Sequence, residues 1–508
     1  MASGTRPLAV VACLFTAVQL LLVVPGSGIG WDEAVYASQV SPYVPAAFFS
    51  APRARGITFL AAPAAALSQD PIALRLWFAL LSGGALFGSF RVWLTILRPA
   101  VVVTAAGLFA SLWITLLYGS QAMPNLWVAY GAVVAVACFL LPPSRRTHTG
   151  LAAALALVAL MRPSDAFWLA LPLAAAALAA RTPVRLLPLA AGVGLGALPW
   201  VVEAYLRYGG LAARLHRAGE IQGGFSGQFA FGAQLRAMSG RTLCRPCSDV
   251  AWGRPELALW WFALPVAVAA GIAVARGRRR PLVLATAAAV SVSVPYLFLI
   301  GYAAPRFLLP AYALLALPAA QALVHATRTW PRPAAAALAV ALAGHLAVQY
   351  AVLHRAADRY RDVRTAYART AAELQRHGVR PPCTVSGHEA VRVAYALGCS
   401  SRQVGGHDGS IDADGLRAMA CGRPVVLLMS GGAPPPAFAR AWRPHGLSPL
   451  PGTRSLHAYL PLACAGPGDR GDPALIRQDG DCKTFGVTPD HGRCIDDQQQ
   501  RDRDRRAV

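Results

Sequence analysis

Long apolar segments constrain the fold of this 508-residue chain more than any motif does. A helix needs about 20 apolar residues to cross a bilayer, where its backbone satisfies its own polar groups. Hydrophobic residues make up 56% of the chain and charged residues only 14%, which excludes an ordinary soluble protein. The sequence predicts eleven membrane-spanning helices, at residues 8–25, 72–90, 99–118, 124–141, 150–162, 166–180, 187–205, 258–275, 281–300, 307–325 and 333–353.

The first span has a competing interpretation as a signal peptide, because it follows Arg6 and ends near small residues. We favour an uncleaved helix, since its apolar run approaches the roughly 20 residues that a bilayer requires and further spans follow. The chain is therefore expected to be a multi-pass protein of the plasma membrane.

Arginines in the short loops predict the orientation, because Lys and Arg are retained on the cytoplasmic side. With the eleven predicted spans, one topology places all the short basic loops in the cytoplasm. The N-terminus is then cytoplasmic, and residues 26–71, 206–257 and everything after about 354 are extracytoplasmic. The net charge of +23 does not indicate nucleic-acid binding, because the arginines are spread between spans rather than clustered on a soluble face.

Two of the predicted spans are short. Residues 151–161 and 167–180 flank the polar segment 162–165, and segments of this length are as compatible with a re-entrant loop as with a span. A polar tip at partial depth is tolerated only when it is buried in protein or lines a wet cavity. The pattern indicates a binding cavity that is open to the outside.

The sequence predicts four regions: a membrane module at 1–353, an amphipathic connecting helix at 354–379, a small extracytoplasmic α/β domain at 380–465 and a disordered tail at 466–508. Gly378 is expected to end the connecting helix. The α/β domain is predicted from strands at 383–385, 401–404, 424–429 and 455–460 that alternate with helices near 388–397, 413–420 and 436–443.

Eight of the ten cysteines fall in predicted exterior segments, where disulfides persist. Cys244 and Cys247 are expected to form a local disulfide, because no second pair completes a zinc site. The remaining exterior cysteines are Cys383, Cys399, Cys421, Cys464, Cys482 and Cys494.

Polar residues that could carry chemistry gather on the predicted outer side. Asp32 and Glu33 follow the first span, Arg162 and Asp165 occupy the short polar tip, and Arg306 lies at the start of the tenth span. A carboxylate can take a proton from a hydroxyl, and a guanidinium can hold a phosphate through paired donors. Together these groups suit group transfer from a lipid phosphate.

Five segments and their order along the chain are informative together: residues 32–37, 73–76, 199–200, 207–209 and 306–310, followed by the exterior C-terminal domain. In the joint order of these segments the chain resembles the GT-C superfamily of integral-membrane glycosyltransferases, in the style of bacterial aminoarabinose transferases and protein O-mannosyltransferases. The resemblance implies a polytopic α-helical, GT-C-like membrane protein with a small C-terminal extracytoplasmic α/β domain.

The resemblance implies an inverting transfer of one sugar from a polyprenyl-phosphate donor to a hydroxyl of a glycan, lipid or protein acceptor. In such families an acid in the first exterior loop acts as the base, which maps here to Asp32, with Glu33 as the fallback. Arg306 is expected to stabilise the departing lipid phosphate. No cofactor is certain, and a divalent metal stays open.

Other residues are predicted to contribute to the same site. Arg53 and Arg55 stand where related enzymes often carry a Lys-Pro-Pro-like segment, so the donor contacts there differ from the family pattern. Arg162 is a further candidate for phosphate binding. Residues that the substrate cavity could include are Tyr36, Arg75, Asp165 and Glu203.

Several competing interpretations remain at this point. Asp32 could serve only as a helix N-cap, and Arg306 and Arg75 could anchor their helices at the headgroup level. A transporter or flippase would also have many spans, but its site would lie at mid-membrane between repeated halves, and the chain has no internal repeat. A receptor with an exterior binding domain would not need eleven spans. No residue pattern in the sequence indicates which sugar is transferred.

Overall fold

The structure is a computed structural model that describes residues 2–224, 227, 229–244, 254–432, 434–453 and 455–462. The described residues form one compact unit. The helices are α1 Ala2–Val18, α2 Trp31–Ser38, α3 Gly56–Leu67, α4 Pro71–Arg91, α5 Pro99–Ser111, α6 Trp113–Gly119, α7 Pro124–Leu140, α8 Arg145–Met161, α9 Pro163–Ala179, α10 Leu186–Arg207, α11 Leu211–Ile221, α12 Phe231–Ala237, α13 Trp260–Val274, α14 Arg279–Phe298, α15 Leu309–Thr329, α16 Arg332–Arg376, α17 Ala390–Leu397 and α18 Ala413–Ala420. The strands are β1 Thr384–Gly387, β2 Ser400–Ser401, β3 Val425–Ser430, β4 Arg443–Leu447 and β5 Leu456–Leu460.

Every predicted span falls on a helix or, for residues 99–118, on the pair α5 and α6. Among the described residues, seven helices are long and apolar enough to cross a membrane, or eight if α5 and α6, which are bent by 75°, form one broken span. Helices α7, α8 and α9 each have 17 residues, fewer than the roughly 20 that a straight span requires. The polytopic helical class is confirmed, and the count of eleven spans stays a prediction.

The polar segment 162–165 lies at a sharp junction between two helices. Helix α8 ends at Met161, Arg162 is extended, and α9 begins with Pro163. Proline lacks an amide hydrogen and disfavours a helical residue before it, so the helix breaks at this point. Helix α8 packs tightly on α10, where a Cβ added to Gly196 would lie 2.2 Å from the carbonyl oxygen of Ala156. This close packing fixes the position of the junction and of Arg162.

The last membrane helix continues into the C-terminal region without a break, since α16 is 45 residues long. Gly378 follows it with φ +85°, a conformation that favours glycine at a helix end. The sheet has the order β2-β1-β3-β5-β4, in which β1 is parallel to β2 and β3 and β5 is antiparallel to β3 and β4. A small C-terminal α/β region is therefore confirmed.

The helix predicted at residues 436–443 is wrong. Only a short 3-10 turn, Ala437–Ala439, forms there, and the chain then enters strand β4 at the edge of the sheet. Pro444 and Gly446 obscure the strand pattern in the sequence, yet an edge strand tolerates proline because one side of its backbone pairs with no neighbour.

Disulfide bonding in the C-terminal region follows the prediction in the part that the structure describes, where Cys383 and Cys399 are bonded. Cys13 and Cys138, which the sequence places in spans, are free thiols. Cys247 and the tail at 466–508 lie outside the described residues.

Candidate active site

Helix α2 follows the first span and places two adjacent carboxylates in different surroundings. The Glu33 carboxylate accepts hydrogen bonds from the amides of Gly30 and Ala122, both at 2.9 Å, and pairs with the Arg75 guanidinium. Glu33 and Arg75 are 2% and 1% exposed. Successive helical residues are about 100° apart around the axis, so Asp32 faces elsewhere. Glu33 and Arg75 thus form a buried pair that anchors α2 to α4, outside the cavity that Asp32 lines.

Asp32 shares a cavity of about 220 Å³ with arginines from three other segments. Its Oδ1 lies 2.9 Å from Nη2 of Arg53, and its Oδ2 lies 3.2 Å from Nη2 of Arg306. The Asp32 side chain is 33% exposed, whereas the two arginine side chains are 11% and 12% exposed. Other residues that line the cavity include Tyr36, Asn125, Arg162, Tyr302, His407 and Asp408.

Arg162 and Arg306 converge on one aromatic ring. The guanidinium carbon of each lies 5.3 Å from the ring centre of Phe307, a cation–π distance. Behind the cavity, Arg162 Nε lies 3.3 Å from Oδ2 of Asp165, whose other oxygen accepts a hydrogen bond from the Tyr296 hydroxyl. Asp165 therefore orients Arg162 from outside the cavity lining.

A loop of the C-terminal region closes the other side of the cavity. Asp408, between β2 and α18, has its Oδ1 3.2 Å from Nη1 of Arg53, and its Oδ2 accepts a hydrogen bond from Trp31 Nε1 at 3.2 Å. His407 next to it also lines the cavity. The sequence did not predict a role for Asp408 and carries no local signal for one, because 355 residues separate it from Arg53.

Arg55 and Glu203 also lie outside the cavity lining, in a second cluster of charges. Arg55 Nη2 is 2.5 Å from Glu203 Oε1, and the fully buried Arg214 is 3.0 Å from the other oxygen of that carboxylate. Arg214 also donates to the carbonyl oxygens of Ala51 and Arg53, each at 3.0 Å. This cluster holds the backbone that carries Arg53, so its contribution to the cavity is positional.

Electrostatics keep Asp32 ionised. Burial raises the pKa of the Asp32 carboxyl, but the guanidinium groups of Arg53 and Arg306 outweigh burial and hold that pKa below its ordinary value. Burial, with a contribution from the Asp32 charge, raises the pKa of Tyr36 to about 12. At neutral pH the cavity therefore combines an anionic carboxylate with a neutral phenol.

The wall of the cavity carries more positive than negative charge. The guanidinium groups of Arg53, Arg162 and Arg306 face the carboxylates of Asp32 and Asp408. Planar guanidinium groups match the geometry of phosphate oxygens, so the cavity suits an anionic phosphate ligand. Within the described residues, no group of three or more His, Cys, Asp or Glu side chains is placed to hold a metal ion.

Comparison with solved structures defines the class to which this fold belongs. No protein-family model matches the sequence, and no curated protein matches it. The chain has the same overall fold as the solved structure of ArnT, and this is the fold that the resemblance to the GT-C superfamily implied.

Among solved structures it is similar to ArnT of Cupriavidus metallidurans bound to undecaprenyl phosphate, with a TM-score of 0.61 and 15% identity over 90% of this chain and 98% of that chain. For the apo state of the same protein the TM-score is 0.60 and the identity 15%, over 88% of this chain and 96% of that chain. For the oligosaccharyltransferase of Archaeoglobus fulgidus the TM-score is 0.48 and the identity 11%, over 84% of this chain and 69% of that chain.

Proposed function

We propose that this protein is a membrane glycosyltransferase that moves a single sugar from a polyprenyl-phosphate donor to an acceptor hydroxyl, with inversion at the anomeric carbon. The observation that carries the proposal is the cavity itself, in which the Asp32 carboxylate lies beside the guanidinium groups of Arg53, Arg162 and Arg306. The GT-C fold supports it, as does the undecaprenyl phosphate bound by the structurally similar ArnT.

The three arginines would bind the donor phosphate. Asp32 engages Arg53 and Arg306 in the cavity, so an incoming phosphate would compete with that carboxylate for their donors. The phosphodiester of the donor has two charged oxygens, as a carboxylate has, and accepts paired N–H groups from a guanidinium in the same way. Phosphate binding would therefore draw guanidinium charge away from Asp32.

This exchange would make Asp32 a better base once the donor is in place. Its pKa lies below the ordinary range because Arg53 and Arg306 stabilise the charged form. When a phosphate neutralises part of that positive charge, the stabilisation falls and the proton affinity of Asp32 rises. The carboxylate then becomes suited to accept a proton from the acceptor hydroxyl, with the donor already bound.

The chemical step balances as a single displacement. The Asp32 carboxylate takes the proton of the acceptor hydroxyl as its oxygen forms a bond to the anomeric carbon. The bond between that carbon and the phosphate oxygen breaks, and the lipid phosphate leaves with the electron pair. The arginines stabilise the charge that develops on the leaving oxygen. Attack on the face opposite the phosphate inverts the anomeric configuration.

We also propose that the cavity opens on the extracytoplasmic side. The positive-inside pattern predicts that side for every segment that lines it, from the loop carrying Asp32 to the loop carrying Asp408. Because these segments meet in one cavity, their common side supports a cytoplasmic N-terminus and an extracytoplasmic C-terminal region. Reporter fusions after Leu140 and after Leu462 test this: the first should report the cytoplasm and the second the exterior.

The decisive experiment measures transfer of labelled sugar from a panel of polyprenyl-phosphate donors into glycan, lipid and protein acceptors in membranes. Asp32→Asn keeps the shape of the side chain but removes the base, and transfer should fall about 10²- to 10⁴-fold. Asp358→Asn is the matched control, because this aspartate pairs with Arg361 on α16 and is 44% exposed. A folded Asp32→Asn variant with full transfer would remove Asp32 from the mechanism. Substrate movement across vesicles without a new glycosidic bond would favour a transporter.

A further inference from the structure

Several polar side chains that line the cavity have no part in the mechanism above, and Asn125 is one of them. Asn125 lies in the first turn of α7, directly after Pro124, and lines the cavity. Its side chain is buried, with the residue 1% exposed. Within the described part of the chain, neither its Oδ1 nor its Nδ2 has a hydrogen-bond partner. It is also the only asparagine among the 508 residues.

A buried amide without partners is unfavourable, because both of its polar atoms lose their hydration. Most of α7 is apolar, so a leucine in place of Asn125 would pack without that cost. The amide offers an acceptor and a pair of donors at one point of the wall. Adjacent hydroxyl groups, each able to donate and accept, satisfy both of its atoms.

The charges of the cavity indicate which kind of sugar fits. Both carboxylates of the described lining, Asp32 and Asp408, are already paired with arginines. An ammonium group on a sugar would lie near the three guanidinium groups of the lining and would compete with them for the same two carboxylates. A sugar with neutral hydroxyl groups meets no such repulsion.

We propose that Asn125 forms a subsite for the hydroxyl groups of a neutral sugar carried on the lipid phosphate donor. The subsite rests on the proposed function, since the phosphate held by the arginines is what brings the sugar to this wall. It deepens that function by giving the cavity a residue that reads the sugar ring and by favouring a neutral donor sugar over an amino sugar.

The experiment measures binding, which does not depend on turnover. The dissociation constant of undecaprenyl phosphate is compared with those of undecaprenyl phosphate carrying mannose, arabinose or 4-amino-4-deoxyarabinose. We call the sugar increment the dissociation constant of bare undecaprenyl phosphate divided by that of the sugar-bearing lipid. In the wild type the increment should be larger for the neutral sugars than for the amino sugar. In Asn125→Leu the neutral-sugar increment should fall about tenfold, with the affinity for bare undecaprenyl phosphate unchanged.

Thr115→Val is the matched control, because Thr115 is fully buried, its hydroxyl has no partner among the described residues, and it does not line the cavity. This variant should keep the wild-type increment. Selective 15N labelling of asparagine offers a direct readout, since the single side-chain amide signal of Asn125 should shift with a neutral-sugar lipid and not with bare lipid phosphate.

Three results would overturn the subsite: an unchanged increment in Asn125→Leu, an equal loss of affinity for bare lipid phosphate, or tighter binding of the amino-sugar lipid than of the neutral ones. Failure of the proposed function is distinguishable from these. In that case the sugar increment and its dependence on Asn125 persist, while no labelled product forms with any acceptor.

Discussion

Glu33→Gln separates the structural role of Glu33, which its buried contacts indicate, from the catalytic role that its position in the sequence suggested. The Glu33 carboxylate and the Arg75 guanidinium are both almost fully buried, and two backbone amides also donate to that carboxylate. The substitution keeps the size of the side chain and leaves the Arg75 charge without its counter-ion.

The expected cost follows from the burial of the pair. Removing one partner of a buried ion pair typically costs about 3–5 kcal/mol, since the other charge stays desolvated. Arg75 still donates to the carbonyl oxygens of Ser120 and Gly28, so we expect the lower end, about 3 kcal/mol. This corresponds to a factor of roughly 150 in the unfolding equilibrium constant. Glu33→Leu combined with Arg75→Leu removes both charges and should recover much of the loss.

The assay has two readouts on the same preparations: unfolding in detergent by guanidinium chloride, and sugar transfer per folded molecule. We expect Glu33→Gln to unfold at lower denaturant concentration and to keep transfer within a few-fold of the wild type. The reasoning is refuted if Glu33→Gln keeps full stability but loses transfer as strongly as Asp32→Asn. That result would make Glu33 the base.

Three further predictions concern the cavity. Arg306→Ala should weaken binding of undecaprenyl phosphate by about 10- to 100-fold, as expected for loss of a charge-assisted hydrogen bond, and unchanged affinity would show that the phosphate is held elsewhere. Arg53→Ala should move the acidic limb of the pH profile of kcat/KM to higher pH, because Arg53 holds the pKa of Asp32 down; an unmoved limb would contradict the assignment of Asp32 as the base. Asp408→Ala should lower kcat/KM about tenfold, because it removes the contacts that hold Arg53 and Trp31. Asp414→Ala is the control and should have no effect, since the Asp414 side chain is 84% exposed. Equal effects of the two substitutions would exclude a positioning role for Asp408.

Local sequence signals predicted most of the elements. The apolar segments predicted the positions of the membrane helices, and short stretches between helical segments predicted four of the five strands of the C-terminal sheet. Strand β4 was missed because Pro444 and Gly446 interrupt its pattern, and its place at the edge of the sheet depends on pairing with β5. Such pairing is a long-range property that a local window does not contain.

The sequence by itself determined that this protein is a polytopic helical membrane protein, and it predicted that its acids and arginines gather on one side, because hydropathy and loop charge act on each segment independently. Only the tertiary structure separated Asp32 from Glu33, two neighbouring carboxylates with the same chemistry. Glu33 forms a buried ion pair with Arg75 of α4, whereas Asp32 faces the cavity. The structure alone also brought Asp408 to Trp31 across 377 residues and left the amide of Asn125 in the cavity wall. These differences arise from partners that are distant in the chain and that only packing brings together.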